Sequence, residues 1–212
     1  MKYYPLFLDL RERSCVVVGG GPVAERKTIV LLEAGADVTV VSPDLTPKLR
    51  QLSSSGKISH KAKPFEEHDL IGAYLVIAAT GSEDINAGVG RLCRKRHLLV
   101  NVAAPPDEGN FIVPSVVDRG ALVIAVSTSG ASPALARKIR SELEERYGRE
   151  YEEFLAKMTQ LRHLLLDQVP DEEGRRAVFQ ALADSEVLDL LRQGRAHEAD
   201  QRISQIAGVR LK

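Results

Sequence analysis

The 212 residues are 44% hydrophobic and 27% charged, with only 10 prolines; this composition belongs to a folded chain with a real core, and the length accommodates one full domain plus a smaller appendage. Twenty-nine basic side chains balance twenty-nine acidic ones, which excludes a global positive field that would hold nucleic acid or an anionic membrane by charge alone. Aromatic residues make up 5% and Trp is absent, arguing against base-stacking platforms and membrane-interface belts.

The N-terminal run turns charged at Asp9, Arg11, Glu12 and Arg13, before a signal-peptide core could form. No uncharged apolar run approaches the ~20 residues of a membrane span. A cytoplasmic protein with no membrane or nucleic-acid partner is expected. Ser14 to Val18 then reads as a first strand, Pro22 to Ala34 as a helix stopped by Gly35, Asp37 to Val41 as a second strand and Leu45 to Ser54 as a second helix. Lys57 to Ala62 is a weaker strand, Tyr74 to Ala78 a buried one, Asp84 to Lys95 a helix, and Leu98 to Val102 another buried strand. Apolar runs alternating with helical patterns predict an α/β fold, a Rossmann-type doubly wound parallel sheet. Pro105, Pro106, Gly109 and Pro114 break regular structure, and one further strand is expected at Ala121 to Val126.

From Ser132 the pattern is helical, with Ser132 as N-cap, Pro133 at the first helical position and Leu135, Ile139 and Leu143 at i, i+4 spacing. Tyr151, Phe154, Leu155, Met158, Leu161 and Leu165 form an apolar stripe, followed by shorter helices around Glu173 to Ala183 and Ser185 to Arg192, then an Ala199, Ile203, Ile206 tail. The expected organisation is a dinucleotide-binding domain at 1–113, a small dimerisation and substrate-loop segment at 114–147, and a C-terminal helical domain at 148–212. A strand and helical arm this small cannot make a large core alone, which predicts packing on a second copy of the chain.

Three segments carry chemistry. Val16-Val17-Val18-Gly19-Gly20-Gly21-Pro22-Val23-Ala24 is an apolar strand, a GxGxxA run and a helix start, the context a dinucleotide fingerprint requires. Gly19 permits the tight turn, Gly21 lets backbone approach a pyrophosphate held at the helix N-terminus, and Ala24 keeps helix and strand close; the alternative is a purely structural turn. Asp44, 23 residues after Gly21, can accept bonds from ribose hydroxyls, and with no Arg or Lys beside it in sequence NAD is favoured over NADP. Asp44 could instead cap the following helix. Ala78-Ala79-Thr80-Gly81 ends the fourth strand with small residues, which would leave room for the nicotinamide side or serve packing alone. Finally, Ser127-Thr128-Ser129-Gly130-Ala131-Ser132-Pro133 precedes a helix carrying Arg137, Lys138 and Arg140, an arrangement suited to trapping anions; the plain alternative is a capped helix with a polar approach loop. The five histidines are scattered, and Cys15 and Cys93 sit in unrelated elements, so neither a metal site nor a disulfide framework is expected.

Taken together these residues resemble the siroheme-synthesis family of precorrin-2 dehydrogenases, with or without sirohydrochlorin ferrochelatase activity. The matching pieces are Pro5-Leu6-Phe7-Leu8 with Leu10-Arg11, Val18 through Lys27 including Val23-Ala24-Glu25-Arg26-Lys27, Leu32 to Ala36, Ala78-Ala79-Thr80, Asn101-Val102, Phe111 to Ser115, and Ala125 through Pro133 running on to Arg137. The resemblance covers roughly residues 3 to 145. It implies removal of a hydride and a proton from precorrin-2, with NAD as acceptor, to give sirohydrochlorin; some members then insert ferrous iron. It also implies pyrophosphate contacts at Pro22 and Val23, ribose contacts at Pro43 and Asp44, cofactor contact at Thr80, and a polycarboxylate substrate at Asn101, Ser127, Thr128, Ser129, Ser132 and Arg137. An intertwined homodimer is implied as well.

The sequence departs from the family where an aspartate usually follows the Asn-Val pair, because Ala104 stands there. Asp107, three residues on, is the expected substitute proton acceptor, with Glu108 beside it. Iron insertion, which needs two pyrrole protons removed, should suffer more from this loss than hydride removal. Thr128 stands where relatives often carry Ser. Two other readings stay open: a non-catalytic NAD sensor acting through its helical arms, and an ordinary hydroxy-acid dehydrogenase, which would want a positioned His or Lys near the fourth or fifth strand. His97 lies at the fifth strand's amino end, on the wrong edge.

Overall fold

A computed structural model describes residues 2–168 and 171–209; the outermost ends of the first and last expected domains, and residues 169–170, lie outside that description. Two compact units form, Met1–Val113 and Pro114–Lys212.

In the first unit, β1 (Ser14–Val18), β2 (Asp37–Val41), β3 (Ser59–Lys61), β4 (Leu75–Ala78) and β5 (Leu99–Val102) make one parallel sheet in the order β3-β2-β1-β4-β5. Helices α1 (Pro22–Glu33), α2 (Pro47–Ser54) and α3 (Glu83–Lys95) are the crossovers. The β-branched runs are buried on both faces, as a sheet covered by helices demands. Cys15, Val17, Val38, Val40, Leu75 and Ile77 pack with Ala24, Leu31 and Leu49 from α1 and α2. The alternate residues Val16, Val18, Val41, Val76, Ala78, Val100 and Val102 pack with Val89 and Cys93 from α3. Burial pushes both thiols, Cys15 and Cys93, up to about 11, so each is an inert packing group. The register sets Val17 opposite both Val40 and Ile77, so β1 is central and the strand order reverses between β1 and β4. Ligands bind at this switch point, beyond the carboxyl ends of the strands.

Helix α2 starts two residues later than the apolar pattern suggested. Thr46, not Asp44, is its N-cap: the Thr46 hydroxyl accepts from the Leu49 amide, and Pro47 takes the first helical position. Asp44 is thereby left without a capping role.

In the second unit, β6 (Ser115–Arg119) pairs antiparallel with β7 (Leu122–Val126). β6 is absent from the sequence expectation. It follows directly on Pro114 and buries only Val117, so it carries almost no hydrophobic signal of its own; the turn at Gly120 (φ +66) and the partner strand define it. Helix α4 (Pro133–Arg146) follows, with Ser132 accepting from the Leu135 amide as expected. Helices α5 (Glu150–Gln168), α6 (Glu172–Ala183), α7 (Val187–Arg192) and α8 (Ala196–Ala207) complete the unit. The expectation of no independent core needs correction for these four helices. Phe154, Met158, Leu161, Leu165, Leu182, Val187, Leu191, Ala199 and Ile203 make a buried cluster of their own. The hairpin and α4 do lack one: Val117 and Ala136 are their buried apolar residues, while Val116, Val123 and Leu135 are 38–48% exposed.

Candidate functional site

A cleft of about 650 Å³ opens at the carboxyl edge of β1, β2 and β4. Its floor is the turn leaving β1. Gly19 has φ +122, and a Cβ there would lie 2.3 Å from the Ala79 carbonyl oxygen. Gly20 is equally constrained, since its Cβ would lie 1.9 Å from the Asp44 carbonyl oxygen. The turn is thus wedged between the loops that follow β2 and β4, and it is pinned there by the Gly19 amide donating to Val41 and the Thr46 amide donating to Gly20.

Gly21 differs: a Cβ would meet nothing within 4 Å. It occupies the N-cap of α1 with no side-chain cap, and Pro22 follows without an N–H. The helix's first amides and the positive end of its dipole therefore face space that the missing side chain leaves open, and an anion fits such a place. Glu25, the acidic residue of this first turn, receives the Thr46 hydroxyl.

Of the expected cofactor residues, Gly19, Gly21, Pro43, Asp44 and Thr80 line the cleft. Pro22 and Val23 are exposed on the first turn of α1 outside that lining, and Ala24 is fully buried in the core beneath it. Gly20, Thr46, Pro64, Phe65 and Ile85 also line the cleft without having been singled out. Thr46-Pro47 carried a readable cap signature, whereas Pro64 and Phe65 reach the cleft only because β3 pairs beside β2. Val41, Pro64, Phe65 and Ile85 offer apolar walls for a flat ring, and Ser42 and Asp44 offer polar atoms beside them.

No cation lines this cleft among the described residues, although Lys61, whose carbonyl accepts from the Ser42 amide, ends β3 and Lys63 follows two residues on. Both are engaged by Asp69, whose side chain is fully buried: Lys61 Nζ lies 2.9 Å and Lys63 Nζ 2.8 Å from its oxygens. The Glu66 amide adds a third bond at 3.0 Å. Burial alone would raise the Asp69 carboxyl, but the hydrogen bonds from Lys63, Lys61 and Glu66 outweigh it and hold the group well below the usual carboxylate range.

At the β4 edge, Asn86 is 1% exposed and uses its whole amide. Its Oδ1 accepts from the Thr80 amide and hydroxyl, and its Nδ2 donates to the Thr80 and Ala104 carbonyls. Within β5, Asn101 donates to the Phe111 carbonyl, so this expected substrate residue holds neighbouring backbone. Asp107 and Glu108 lie in a short 3-10 turn, Pro106–Glu108. Glu108 is engaged by Arg94 and Arg91. The Asp107 side chain is 92% exposed, with Lys2 at 3.8 Å, and Asp107 is not among the cleft-lining residues.

In the second unit, the Ser127–Ser132 loop is partly self-satisfied, which leaves fewer of its amides open to an anion than the expected anion trap would use. The Ser129 amide donates to Ser127 Oγ, the Ser132 amide to Thr128 Oγ1 and the Ala131 amide to the Thr128 carbonyl. The loop turns through left-handed conformations at Ser129 and Gly130. On α4, Lys138 pairs with Glu142 and Arg140 with Glu144, while exposed Arg137 makes no ion pair among the described residues. The described residues contain no group of three or more His, Cys, Asp or Glu able to hold a metal ion, and no helix among them is long and apolar enough to cross a membrane.

Comparison with known proteins matches this architecture in both units. A family model for NAD(P)-binding covers residues 6–115, and one for the central part of sirohaem biosynthesis proteins covers residues 119–146. The siroheme synthase of Thioalkalivibrio sulfidiphilus is 41% identical over 203 residues, which is 96% of this chain and 42% of that protein. The siroheme synthase of Methylobacillus flagellatus is 40% identical over 208 residues, 96% of this chain and 44% of that protein. The chain therefore spans less than half the length of these relatives. The solved structure of SirC, a precorrin-2 dehydrogenase, superposes with a TM-score of 0.80 at 29% identity, covering 96% of this chain and 100% of that one.

Proposed function

The chain belongs to the siroheme synthase N-terminal family, and on that premise we propose that it is an NAD-dependent precorrin-2 dehydrogenase, converting precorrin-2 to sirohydrochlorin in siroheme biosynthesis. The observation that carries the reading is the cleft at the strand-order reversal, with its open helix N-terminus at Gly21, within a chain that matches a precorrin-2 dehydrogenase over that protein's whole length. NAD, when bound, supplies a two-electron acceptor for a hydride. The chain's own residues do the rest. The Gly19–Gly21 turn and the first amides of α1 hold a pyrophosphate; Pro22 and Val23 border it; Pro43 and Asp44 hold a ribose; Thr80 bounds the side on which hydride transfer takes place.

NAD is selected over NADP because a 2′-phosphate would meet the Asp44 carboxylate while Lys61 and Lys63 are committed to Asp69. Measured by precorrin-2-dependent turnover, kcat/KM for NAD exceeds that for NADP by at least about tenfold; equal values would remove this assignment.

We assign residues 1–113 to cofactor binding, 114–147 to dimerisation and the substrate loop, and 148–212 to a helical domain. The exposed apolar residues of the hairpin and α4 support a homodimer. For a polycarboxylate substrate, Asn101, Ser127, Thr128, Ser129, Ser132 and Arg137 form the proposed contact set, with Arg137 its available cation. Loss of a hydride leaves a proton to be accepted. Asp107 is the proposed acceptor because Glu108 is held by two arginines, whereas Asp107 has a single exposed contact, Lys2 at 3.8 Å. Asp107→Asn should lower kcat about tenfold or more, whereas Glu108→Gln should act on stability and leave kcat near that of the parent. An unchanged kcat in Asp107→Asn would exclude the role. Ferrous iron as a second substrate, inserted into sirohydrochlorin, is the weaker arm of the proposal because Ala104 carries no carboxylate. A cytoplasmic location accompanies the proposed function. The absent carboxylate also motivates the alternative of an NAD sensor acting through the helical arms, which turnover separates from the enzyme.

A further inference from the structure

We infer that Asn86 is a positioning residue that couples the two loops on either side of the reacting centre; the inference rests on the dinucleotide reading of the cleft. The side chain sits in the first turn of α3, almost wholly buried. Its four hydrogen bonds run in two directions. Oδ1 receives the Thr80 amide at 2.9 Å and the Thr80 hydroxyl at 2.8 Å, and Nδ2 donates to the Thr80 carbonyl at 3.2 Å, so Thr80, in the loop after β4, is held by both its backbone ends and its hydroxyl. The second N–H of the same amide reaches the Ala104 carbonyl at 3.1 Å, in the turn that follows β5.

Thr80 lines the cleft, and a dinucleotide anchored at Gly21 and Asp44 extends across the switch point toward it. Ala104 lies where chain leaves the sheet toward Asp107. One planar amide therefore fixes the separation between the cofactor wall and the turn that bears the proposed proton acceptor. Only an amide does this: two acceptors' worth of lone pairs must face Thr80 while two N–H groups face two carbonyls. A carboxylate keeps the first half and turns the second into repulsion. Since the anchoring groups for pyrophosphate and ribose lie on other loops, Asn86 governs reaction geometry and contributes little to cofactor affinity.

The test is Asn86→Asp and Asn86→Ser, the serine being neutral and too short to bridge, so that it reports even where a buried charge prevents folding. Three quantities are read on the full chain: NADH dissociation constant by fluorescence titration, amide hydrogen exchange across residues 80–82 and 103–108, and precorrin-2-dependent kcat. The inference expects NADH affinity within about threefold of the parent, exchange in both segments accelerated at least tenfold with the β1–β2 amides unchanged, and kcat lowered at least thirtyfold. Exchange confined to residues 80–82, or NADH affinity falling in step with kcat, would overturn it. If the parent protein binds NADH but turns over no precorrin-2, the proposed function fails, and the exchange and affinity measurements still decide the role of Asn86.

Discussion

Alanine at Gly21 should abolish tight dinucleotide binding while leaving the fold intact, and alanine at Gly20 should do the reverse in order of cause, damaging the fold first. Gly21 has φ −86 and ψ −175, a conformation open to any residue, and a methyl group there meets no protein atom. It enters the space over the first amides of α1, where a pyrophosphate must come into contact with backbone. The expected loss is at least tenfold in NADH affinity, equivalent to about 1.4 kcal/mol or more, with a thermal midpoint within a few degrees of the parent. A methyl at Gly20 instead collides with the Asp44 carbonyl, and overpacking of this kind costs about 1–3 kcal/mol. Gly19 adds a left-handed φ to a similar collision with Ala79, so its replacement costs about 1–3 kcal/mol more. Thermal unfolding beside NADH titration separates the three variants. A Gly21→Ala protein that binds like the parent would show that the open helix terminus is not the anion site.

The second large effect concerns Asp69. Asp69→Asn should destabilise the first unit by about 2–3 kcal/mol, from charge-assisted bonds lost in a buried setting and moderated by the partial exposure of Lys61 and Lys63. The pH dependence has a definite sign. The folded-state pKa of Asp69 is depressed, so its contribution is fully present above the unfolded value of about 3.9 and is lost as pH falls through the folded value. The parent should therefore lose stability on acidification below about pH 4, and Asp69→Asn should lack that component. Urea unfolding at pH 7 and pH 3.5 measures both. A parent–variant difference that is the same at the two pH values would mean that the carboxylate's charge contributes nothing.

The parts of the fold that were legible share a cause. β1, β2 and β4 are short runs rich in Val, Ile and Leu in which every residue but Ser14, Asp37 and Thr39 is buried, and α1 carries Pro22 at its start and Gly35 after its end, so local pattern and tertiary environment agree. β6 was not legible because its definition is a partner strand. The glycine run announced the cleft, yet Gly20 passed as a neutral position since its constraint is the Asp44 carbonyl, a contact 24 residues away in sequence. Asp44 lacks a cationic neighbour along the chain, whereas the placing of Lys61 opposite Val41 at the end of β2 comes from pairing of β2 with β3, and the buried carboxylate that engages Lys61 and Lys63 comes from Asp69, farther along the chain. Asn86 carried no motif at all; its importance is four hydrogen bonds that only the folded chain brings together. Likewise, the serine-rich loop was rightly placed at a helix start, but its hydroxyls turn inward onto its own amides because Ser129 and Gly130 fold the backbone back.

The most direct measurement is the stoichiometry of an anaerobic reaction with freshly generated precorrin-2 and NAD, following NADH and sirohydrochlorin absorbance together. The account predicts one NADH formed per sirohydrochlorin, with both appearing at the same rate and both lost in Gly21→Ala. Tight NADH binding without turnover, or sirohydrochlorin formed without NADH, would contradict it.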